Sequence, residues 1–491
     1  MLKSFDARSK RLERRQLLQA LGAVGGGALL GGGLALPAKA AVLADSRGGP
    51  GNPKIADEVR AEFMHAWTCY KKYAFGFDQV KPISGKPDYL FFPKDKISVG
   101  LSIIEALDTL YVMGLDSELK TCLDWIYKNL SFNINVDNFD VFDGIIRILG
   151  GLLAGYLAVR DQRLLLLAKD FADRIMPIFT KSPTGMPYSA VNMATGAVSQ
   201  PNSILAAIGS NILELGTLSQ LTGDPSYYNA AKRALREVFN RRSSLDLLGS
   251  SINVETGQWV DPTDSGPNPV SDSFYEYLYG AYALFGDQEC LAWYHVINDA
   301  MTKHLVESYN GLTWYKTVDF RTGAVLNRRQ SELASFYAEL VAAGGDLTLG
   351  TAYYQSWTKV LQLYPVLPGA IDYTTLKATG VGNAFYPEYV NSSFDLYWKT
   401  GNDFYANTAY QYFVGLRDNA RTPEGYTIIT DVTTRPMKQG DSFPAYGFAE
   451  NFKYLYLIFA RTPRFDTQNF YLSTEGKILR GLKPDPALTG Y

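Results

Sequence analysis

The amino-acid sequence predicts an all-α protein in which paired helices close into an α-toroid. Apolar residues recur at helical spacing in fourteen segments, and no long series of strands separates them. Segments 139–160 and 447–461 are apolar on most of their circumference, which implies burial on both sides. No fixed repeat of roughly 30–45 residues is visible. A closed ring of helices is therefore favoured over an open solenoid.

The predicted helices follow one another from residue 56 to residue 461. Each has apolar residues three or four positions apart, which places an apolar stripe along one helix face. Loops rich in Gly, Pro, Asn and Asp separate them, and small hairpins are predicted around Leu312–Val325 and Tyr426–Arg435. The helices are predicted at 56–74, 98–114, 117–130, 139–160, 162–180, 203–222, 225–240, 271–286, 289–308, 329–345, 352–364, 387–400, 403–419 and 447–461. We expect them to form one domain over residues 54–491.

Composition favours carboxylate chemistry on a neutral substrate. The 491 residues include 47 Lys+Arg and 49 Asp+Glu, a net charge of −2, which argues against a nucleic-acid-binding protein. Aromatic residues reach 13%, whereas His and Cys number three each. Sites built from several His ligands or Cys pairs are therefore disfavoured. Cys69, Cys122 and Cys290 are far apart and define no disulfide framework.

The first forty residues have the pattern of a secretory leader. A basic region with Arg14-Arg15 precedes a Gly-, Ala- and Leu-rich run from Leu21 to Leu36, and Ala38-Lys39-Ala40 follows. The paired arginines and the mildly apolar run indicate twin-arginine export, with cleavage after Ala40 and a linker over 41–53. A membrane anchor and a Gly-rich phosphate loop are the alternatives. The run is short for a membrane span, and no strand precedes its glycines. We expect a bacterial protein that is periplasmic or extracellular, with no stable membrane insertion after cleavage.

Two candidate catalytic carboxylates lie at the start of predicted helices. Asp272 follows a loop that contains Pro and Gly, and Glu388 directly follows Pro387. An acid in the first turn of a helix is also common as a cap or because of the helix dipole. Each position alone is therefore compatible with a purely structural role.

Three further acids interrupt or flank apolar segments. Asp143 opens the helix 139–160, and Arg147 lies four residues later on the same face, where a structural ion pair is the alternative. Glu450 lies inside an aromatic helix, where an unpaired charge is costly to bury. Glu475 lies near the C-terminus on a predicted hairpin or loop. On successive helices of a toroid these acids could converge, and hydrolysis of a glycoside needs two carboxyl groups on opposite sides of a bond.

Longer motifs resemble glycoside hydrolase family 47, the class I α-mannosidases. They are Ile103–Leu115 with the string A-L-D-T-L-Y-V-M-G-L, the helix Phe142–Gly151 with I-R-I-L-G-G, the segment Asp272–Tyr277, and Ala449–Leu457. The resemblance runs in order from about Ala66 to Glu475. It implies an (α/α)7 barrel that a C-terminal hairpin closes at its base. It also implies calcium-dependent, inverting exo-hydrolysis, typically of α-1,2-linked mannose.

The resemblance assigns roles to individual residues. Asp143 takes the position of the proton-donating acid, Glu388 that of the base that activates water, and Asp272 that of a third essential carboxylate. Thr474 matches the residue that holds Ca²⁺ through its carbonyl and hydroxyl oxygens, with waters and sugar hydroxyls as the other ligands. The remaining matched positions, which contact the sugar, are Arg147, Tyr446, Glu450 and Glu475.

Five positions depart from the family pattern. Asp143 stands where relatives carry Glu, and misplacement by about 1 Å can cost on the order of 100-fold in rate. In the family, the acid is thought to act through a bridging water, so a second water or a shifted substrate could restore its reach. The other departures are Val270, Tyr386, Asn391 and Gly476, where relatives have Arg, Arg, Glu and often His.

The sequence predicts a mannosidase-like enzyme that acts on mannose-containing oligosaccharides as a monomer, with altered or weak activity. A calcium-dependent glycan-binding protein that has lost its acid function is the main alternative. A hydrolase of another glycoside is a third possibility. A sugar epimerase is disfavoured, because such enzymes typically use histidine and His65, His295 and His304 lie outside every site segment.

Overall fold

The computed structural model describes residues 51–489, in which fourteen helices alternate between an outer and an inner ring. The predicted leader and most of the predicted linker lie outside these residues. The outer helices are α1 (Pro53–Tyr73), α3 (Asp116–Asn129), α5 (Gln162–Ile175), α7 (Pro225–Phe239), α9 (Gln288–Leu305), α11 (Leu347–Leu363) and α13 (Asp403–Ala420).

The inner helices are shorter or interrupted. They are α2 (Leu101–Glu105 and Leu107–Val112), α4 (Val141–Asp143, π-helical Gly144–Leu149 and Gly150–Val159), α6 (Leu205–Gly209 and Ile212–Thr222), α8 (Asp272–Phe285), α10 (3₁₀-helical Glu332–Phe336 and Tyr337–Ala343), α12 (Glu388–Thr400) and α14 (Tyr446–Ala449 and Asn451–Phe459). Short helical turns also occur at Pro177–Thr180 and Pro486–Leu488.

The inner helices form a closed ring. Each packs against the next inner helix along the chain, and α14 returns to pack against α2. The outer helix α1 covers α14, so the first and last helices of the barrel form the seventh pair. This arrangement is an (α/α)7 barrel, and it confirms the predicted fold class.

Outer helix α5 has one apolar face, whereas inner helix α4 is apolar on most of its surface. Outer helix α5 buries Leu164, Ala168, Phe171 and Ile175 at spacings of three or four, which is one face. Inner helix α4 carries Asp143 and Arg147 near its start, but most of its residues from Gly144 to Val159 are apolar and buried. Its residues Val141–Val159 are long and apolar enough to cross a membrane, but 72% of the most apolar stretch is buried inside the molecule. The apolar composition of α4 thus fits a core helix.

Within residues 51–489, twenty short strands form eight small antiparallel sheets, in the loops between barrel helices and in the C-terminal segment. The strands are β1 (Gln79–Lys81), β2 (Lys86–Asp88), β3 (Phe139–Asp140), β4 (Ala190–Val191), β5 (Val198–Ser199), β6 (Asn202–Ile204), β7 (Ser251–Asn253), β8 (Gln258–Asp261), β9 (Thr263–Asp264), β10 (Val306–Tyr309), β11 (Leu312–Tyr315), β12 (Thr317–Asp319), β13 (Val325–Asn327), β14 (Arg329–Ser331), β15 (Ala370–Asp372), β16 (Lys377–Gly380), β17 (Ile429–Asp431), β18 (Lys438–Gln439), β19 (Tyr471–Leu472) and β20 (Ile478–Arg480). Hairpins β10–β11, β12–β13 and β17–β18 occupy the two regions predicted to form hairpins.

Several predicted helix boundaries were wrong. The segment 289–308 ends as a helix at Leu305, because Val306–Tyr309 pairs with β11. The segment 329–345 begins as strand β14, which pairs with β15. Helix α11 begins at Leu347 rather than at 352, because the Asp346 side chain caps it. The segment 447–461 breaks at Glu450, whose φ and ψ of −120° and −78° are not helical.

The C-terminal hairpin β19–β20 is held inside the barrel by buried ion pairs. Lys477 of the hairpin pairs with Glu105 of α2, and both side chains are fully buried. Lys453 of α14 lies 2.7 Å from Asp108 of α2, with 0% and 1% of the side chains exposed. Asp108 also accepts the backbone N–H of Ile478 at 3.0 Å. Lys453 also donates to the carbonyl oxygen of Gly476 at 2.6 Å, so both α2 and α14 hold the hairpin.

Lys453→Met tests this anchoring. The variant leaves Asp108 buried without its charged partner, so we expect the free energy of unfolding to fall by about 3–5 kcal/mol. The control Lys72→Met breaks a pair with Glu424 whose side chains are 53% and 46% exposed. We expect that control to change stability by less than about 1 kcal/mol. Chemical or thermal unfolding followed by circular dichroism measures both, and equal effects would contradict the proposed anchoring.

Candidate active site

A cavity of about 280 Å³ opens where inner helices α8, α10 and α12 begin. Five of its lining residues are acids: Asp272, Glu276, Glu388, Glu450 and Glu475. Its aromatic lining comprises Phe142, Phe336, Tyr386 and Tyr446. Seven of the eight predicted site residues line this cavity, and Asp143 is the exception.

Asp272 is the first residue of α8, next to Ser271, which occupies the cap position. Its Oδ1 accepts the backbone N–H of Ser273 at 2.9 Å. Burial raises the pKa of Asp272 to about 7, against which that hydrogen bond acts. Asp272 is therefore more than a helix cap, because its side chain lines the cavity and its environment disfavours the charged form.

Glu388 is the first residue of α12, directly after Pro387. Burial raises the pKa of Glu388 well above its usual range, and the nearby carboxyls of Glu332, Asp272 and Glu475 raise it further. Its Oε2 atom is buried without a hydrogen-bond partner. A carboxyl group with a raised pKa is a stronger base once ionised, so the ionised form of Glu388 suits the role of a general base.

Arg147 connects the acids of the site. Its guanidinium lies 2.7 Å from Asp143, 3.0 Å from Glu475 and 3.4 Å from Glu105. It also lies over the ring of Tyr446, at 5.2 Å from the ring centre. Arg147 belongs to the π-helical part of α4. One cation therefore joins α4, α2, α14 and the C-terminal hairpin beneath the cavity.

The structure differs from expectation at Asp143. Its Oδ1 accepts a hydrogen bond from Arg147 Nε at 2.7 Å, and 27% of its side chain is exposed. Asp143 does not line the cavity, whereas its neighbours Phe142, Ile146 and Arg147 do. The short side chain pairs with Arg147 on the same face of α4 instead of extending into the cavity. The structural ion pair between Asp143 and Arg147, which the sequence offered as the alternative to a catalytic role, is therefore present.

Thr474 and Glu475 lie in the turn between β19 and β20. Glu276 of α8 hydrogen-bonds to Thr474 and has its pKa raised to about 8, mainly by burial and further by Asp395 and Asp272. Burial likewise raises the pKa of Glu475 to about 7, which the charge of Arg147 partly offsets. The next residue, Gly476, has φ of 64°, and a Cβ there would lie 3.1 Å from the Ala449 carbonyl oxygen. A glycine thus suits this tight turn against α14.

The surroundings of Thr474 fit a bound cation. Buried acids outnumber nearby cations, and Ser473 Oγ and Glu475 Oε2 are buried without hydrogen-bond partners. Within residues 51–489, no group of three or more His, Cys, Asp or Glu is arranged to ligate a metal. A cation held at Thr474 would be bound by hard oxygen atoms, which suit Ca²⁺.

Sequence reasoning missed two acids of this region. Glu276 lies four residues after Asp272, so helical spacing could have placed it on the same face. Glu332 begins α10, and its charge raises the pKa of Glu388. No local pattern marks Glu332, because its neighbours become apparent only when α10 packs against α12. Val270, Tyr386 and Asn391, three of the positions that depart from the family pattern, all line the cavity.

A pocket of buried carboxyl groups at the end of an (α/α)7 barrel suits the hydrolysis of a glycosidic bond. The chain belongs to glycosyl hydrolase family 47, whose family model matches residues 62–481. The alpha-mannosidase I MNS4 of Arabidopsis thaliana is 33% identical over 461 residues, which cover 89% of this chain and 71% of that protein. The mannosyl-oligosaccharide 1,2-alpha-mannosidase MNS1 of the same plant is 29% identical, covering 89% and 80%.

Solved structures support the fold. The alpha-1,2-mannosidase from Trichoderma reesei superposes with a TM-score of 0.80 at 24% identity, over 89% of this chain and 100% of that one. A cellobiose 2-epimerase from Bacillus thermoamylovorans reaches a TM-score of 0.52 at 11% identity, over 83% and 99%. These similarities concern the barrel alone. The three histidines of the chain are not among the residues that line the cavity.

Asp272→Asn tests the electrostatic environment of the pocket. Asp272 has a folded-state pKa near 7, above its ordinary 3.8, so the folded protein keeps a proton that the unfolded chain releases. The associated stability is present below the ordinary pKa and is lost as pH rises through about 7. The asparagine variant avoids this loss. We expect its gain in melting temperature over wild type to grow from about pH 4 to about pH 8.

Differential scanning fluorimetry in EDTA measures this gain. Asp57→Asn, at a side chain that is 71% exposed, is the control and should show no such trend. A gain for Asp272→Asn that is independent of pH would show that the Asp272 pKa is not raised.

Proposed function

We propose that this protein removes terminal α-1,2-linked mannose from oligosaccharides by inverting, calcium-dependent hydrolysis. The single observation that carries the proposal is the convergence of Glu388, Asp272 and Thr474, from two helices and the C-terminal hairpin, on one cavity. Family membership supports the sugar and the bond type. A small, acid-lined cavity with aromatic walls suits one terminal sugar ring.

In this mechanism Glu388 is the general base. Its carboxylate takes a proton from a water molecule, and the oxygen of that water forms the new bond to the anomeric carbon. The glycosidic C–O bond breaks on the opposite face, so configuration inverts. Arg147 and Tyr446 form one wall of the pocket, and their mutual contact holds both against the sugar.

Asp143 donates the proton that the departing oxygen needs. Its Oδ1 is engaged by Arg147, so Oδ2 must carry this proton. Because Asp143 lies beside the cavity rather than in its lining, the proton passes through bridging water. We expect this longer route to make turnover slow relative to enzymes that carry glutamate there.

Thr474 would hold Ca²⁺, with the acids around it balancing the charge of the ion. A bound Ca²⁺ would supply positive charge to two neighbouring sugar hydroxyls. Glu276 orients the Thr474 side chain through their hydrogen bond.

We also propose that the chain is exported by the twin-arginine route, as its first forty residues predict.

Proton NMR of the purified protein with α-1,2-mannobiose tests the activity. We expect release of β-mannose, which stops when EDTA removes Ca²⁺ and resumes when Ca²⁺ is added. Glu388→Gln should lower the rate by about 100-fold or more, because it removes the base. Glu424→Gln, at an exposed surface position, is the control. Release of α-mannose would contradict inversion, and undiminished turnover in EDTA would contradict the role of the metal.

A calcium-dependent glycan-binding protein is the second candidate function. The observation that favours it is the position of Asp143, which is paired with Arg147 and does not line the cavity. Such a protein would bind mannobiose in the presence of Ca²⁺ and leave it intact.

Asp143→Glu separates the two candidates. The longer side chain should reach the cavity and raise the rate of hydrolysis by on the order of 100-fold. Asp143→Asn is the matched control, and it should abolish hydrolysis without weakening binding measured by calorimetry. If wild type binds without turnover and only Asp143→Glu cleaves, the protein is a binding protein. If Asp143→Asn cleaves as fast as wild type, Asp143 is not the acid.

A further inference from the structure

Glu332 is a buried acid that the mechanism above does not use. It is the first residue of the 3₁₀ segment of α10, and its side chain is fully buried. Neither of its carboxyl oxygens has a hydrogen-bond partner in the structure, although the backbone N–H of Tyr389 lies close enough to act on the pKa of the group. The neighbouring acid is Glu388, the first residue of α12, and the 3₁₀ segment of α10 packs directly against α12.

Two carboxylates cannot hydrogen-bond to each other, because each only accepts. Glu388 Oε2 is also buried and without another partner. If both groups were ionised, two negative charges would face each other away from water, at a high energetic cost. One proton between them removes one charge and supplies the donor that these oxygens lack.

We propose that Glu332 is a positioning residue that shares one proton with Glu388 in the substrate-free protein. The kinetic consequences rest on the proposed function, whereas the shared proton itself does not. The pair engages the buried Oε2 of Glu388, which leaves Oε1 for water in the cavity that Glu388 lines.

The surroundings of the pair favour the protonated form. Burial raises the pKa of Glu332 to about 8, while the backbone N–H of Tyr389 and the Glu388 carboxyl act against burial. The acids that face Glu388 are Asp272 from α8, Glu450 from α14 and Glu475 from the hairpin. The phenols of Tyr386, Tyr412 and Tyr446 complete the set of titratable neighbours. Arg147 instead pairs with Asp143, Glu475 and Glu105.

The pairing sets the pH at which the base becomes available. Glu388 can accept a proton from water only after the shared proton has left the pair. Glu332 delays this loss, because its negative charge would remain beside the newly formed Glu388 carboxylate. Glu332 therefore shifts the acidic limb of activity towards higher pH.

Glu332→Gln tests the pairing by ¹³C NMR of protein labelled at the glutamate side-chain carboxyl carbon. Spectra are recorded in EDTA as a function of pH, and the Glu388 signal is assigned by its loss in Glu388→Gln. We expect the titration midpoint of Glu388 to fall by about one pH unit or more, because the variant removes the neighbouring charge. An unchanged midpoint overturns the proposal.

Glu214→Gln is the matched control. Glu214 is equally buried on an inner helix, and its Oε2 also lacks a partner, but its Oε1 accepts from Tyr277 at 2.8 Å. This variant should leave the Glu388 midpoint unchanged, and an equal shift there would overturn a specific pairing. Should Glu332→Gln fail to fold, the reciprocal titration of Glu332 in Glu388→Gln decides, because a changed Glu332 midpoint supports the pair and an unchanged one overturns it.

The kinetic arm follows kcat/KM for α-1,2-mannobiose as a function of pH. The acidic limb should move to lower pH in Glu332→Gln and return towards the wild-type position in Glu332→Asp, which restores the charge. A merely structural role would lower the rate without moving the limb. If the NMR midpoint shifts but no variant cleaves mannobiose, the pair stands and the proposed hydrolysis fails. If cleavage occurs and the midpoint stays fixed, the pair fails and the hydrolysis stands.

Discussion

The buried ion pairs that hold the C-terminal hairpin inside the barrel are the constraint on which the site depends. Lys477 pairs with Glu105, Lys453 with Asp108, and Arg147 with Glu475. Removing one partner of a buried ion pair costs more stability than the intact pair contributes, so the hairpin has one favoured position in the barrel. That position places Thr474 and Glu475 at the cavity. The ion pairs that hold the hairpin inside the barrel therefore also fix the floor of the cavity.

The cluster of buried acids in the cavity destabilises the folded protein by itself. Asp272, Glu276 and Glu475 are buried close together, and each has a raised pKa mainly because of burial. A fold keeps such a cluster only if the rest of the structure supports it, and the apolar contacts of the helix rings supply that support. A cation on the floor and a sugar in the cavity would both relieve the repulsion. The cluster of acids that costs stability is therefore the same arrangement that would bind a cation and a sugar.

The residues that depart from the family pattern change the charges and hydrogen bonds around the cavity. At Asn391 an amide replaces a charge, and its side chain donates to Asp395 one turn further along α12 at 3.0 Å. At Tyr386 a phenol lines the cavity where relatives have a cation. Asp143 pairs with Arg147 and does not line the cavity. Tyr386 and Asn391 belong to none of the pairs that anchor the hairpin, whereas Asp143 shares Arg147 with Glu475.

The sequence by itself determined the helical periodicity, the all-α class and the motifs that indicate family 47, because periodicity and motifs are local along the chain. It also singled out the acids that interrupt apolar helices, and seven of the eight predicted site residues line one cavity. Tertiary structure alone decided the rest. Strands β10 and β14 replace predicted helix because their partners β11 and β15 lie elsewhere in the chain. The direction of the Asp143 side chain and the pairing of Glu332 with Glu388 depend on which helices meet. Electrostatic interactions in a buried site are set by distance in space, which sequence spacing does not contain.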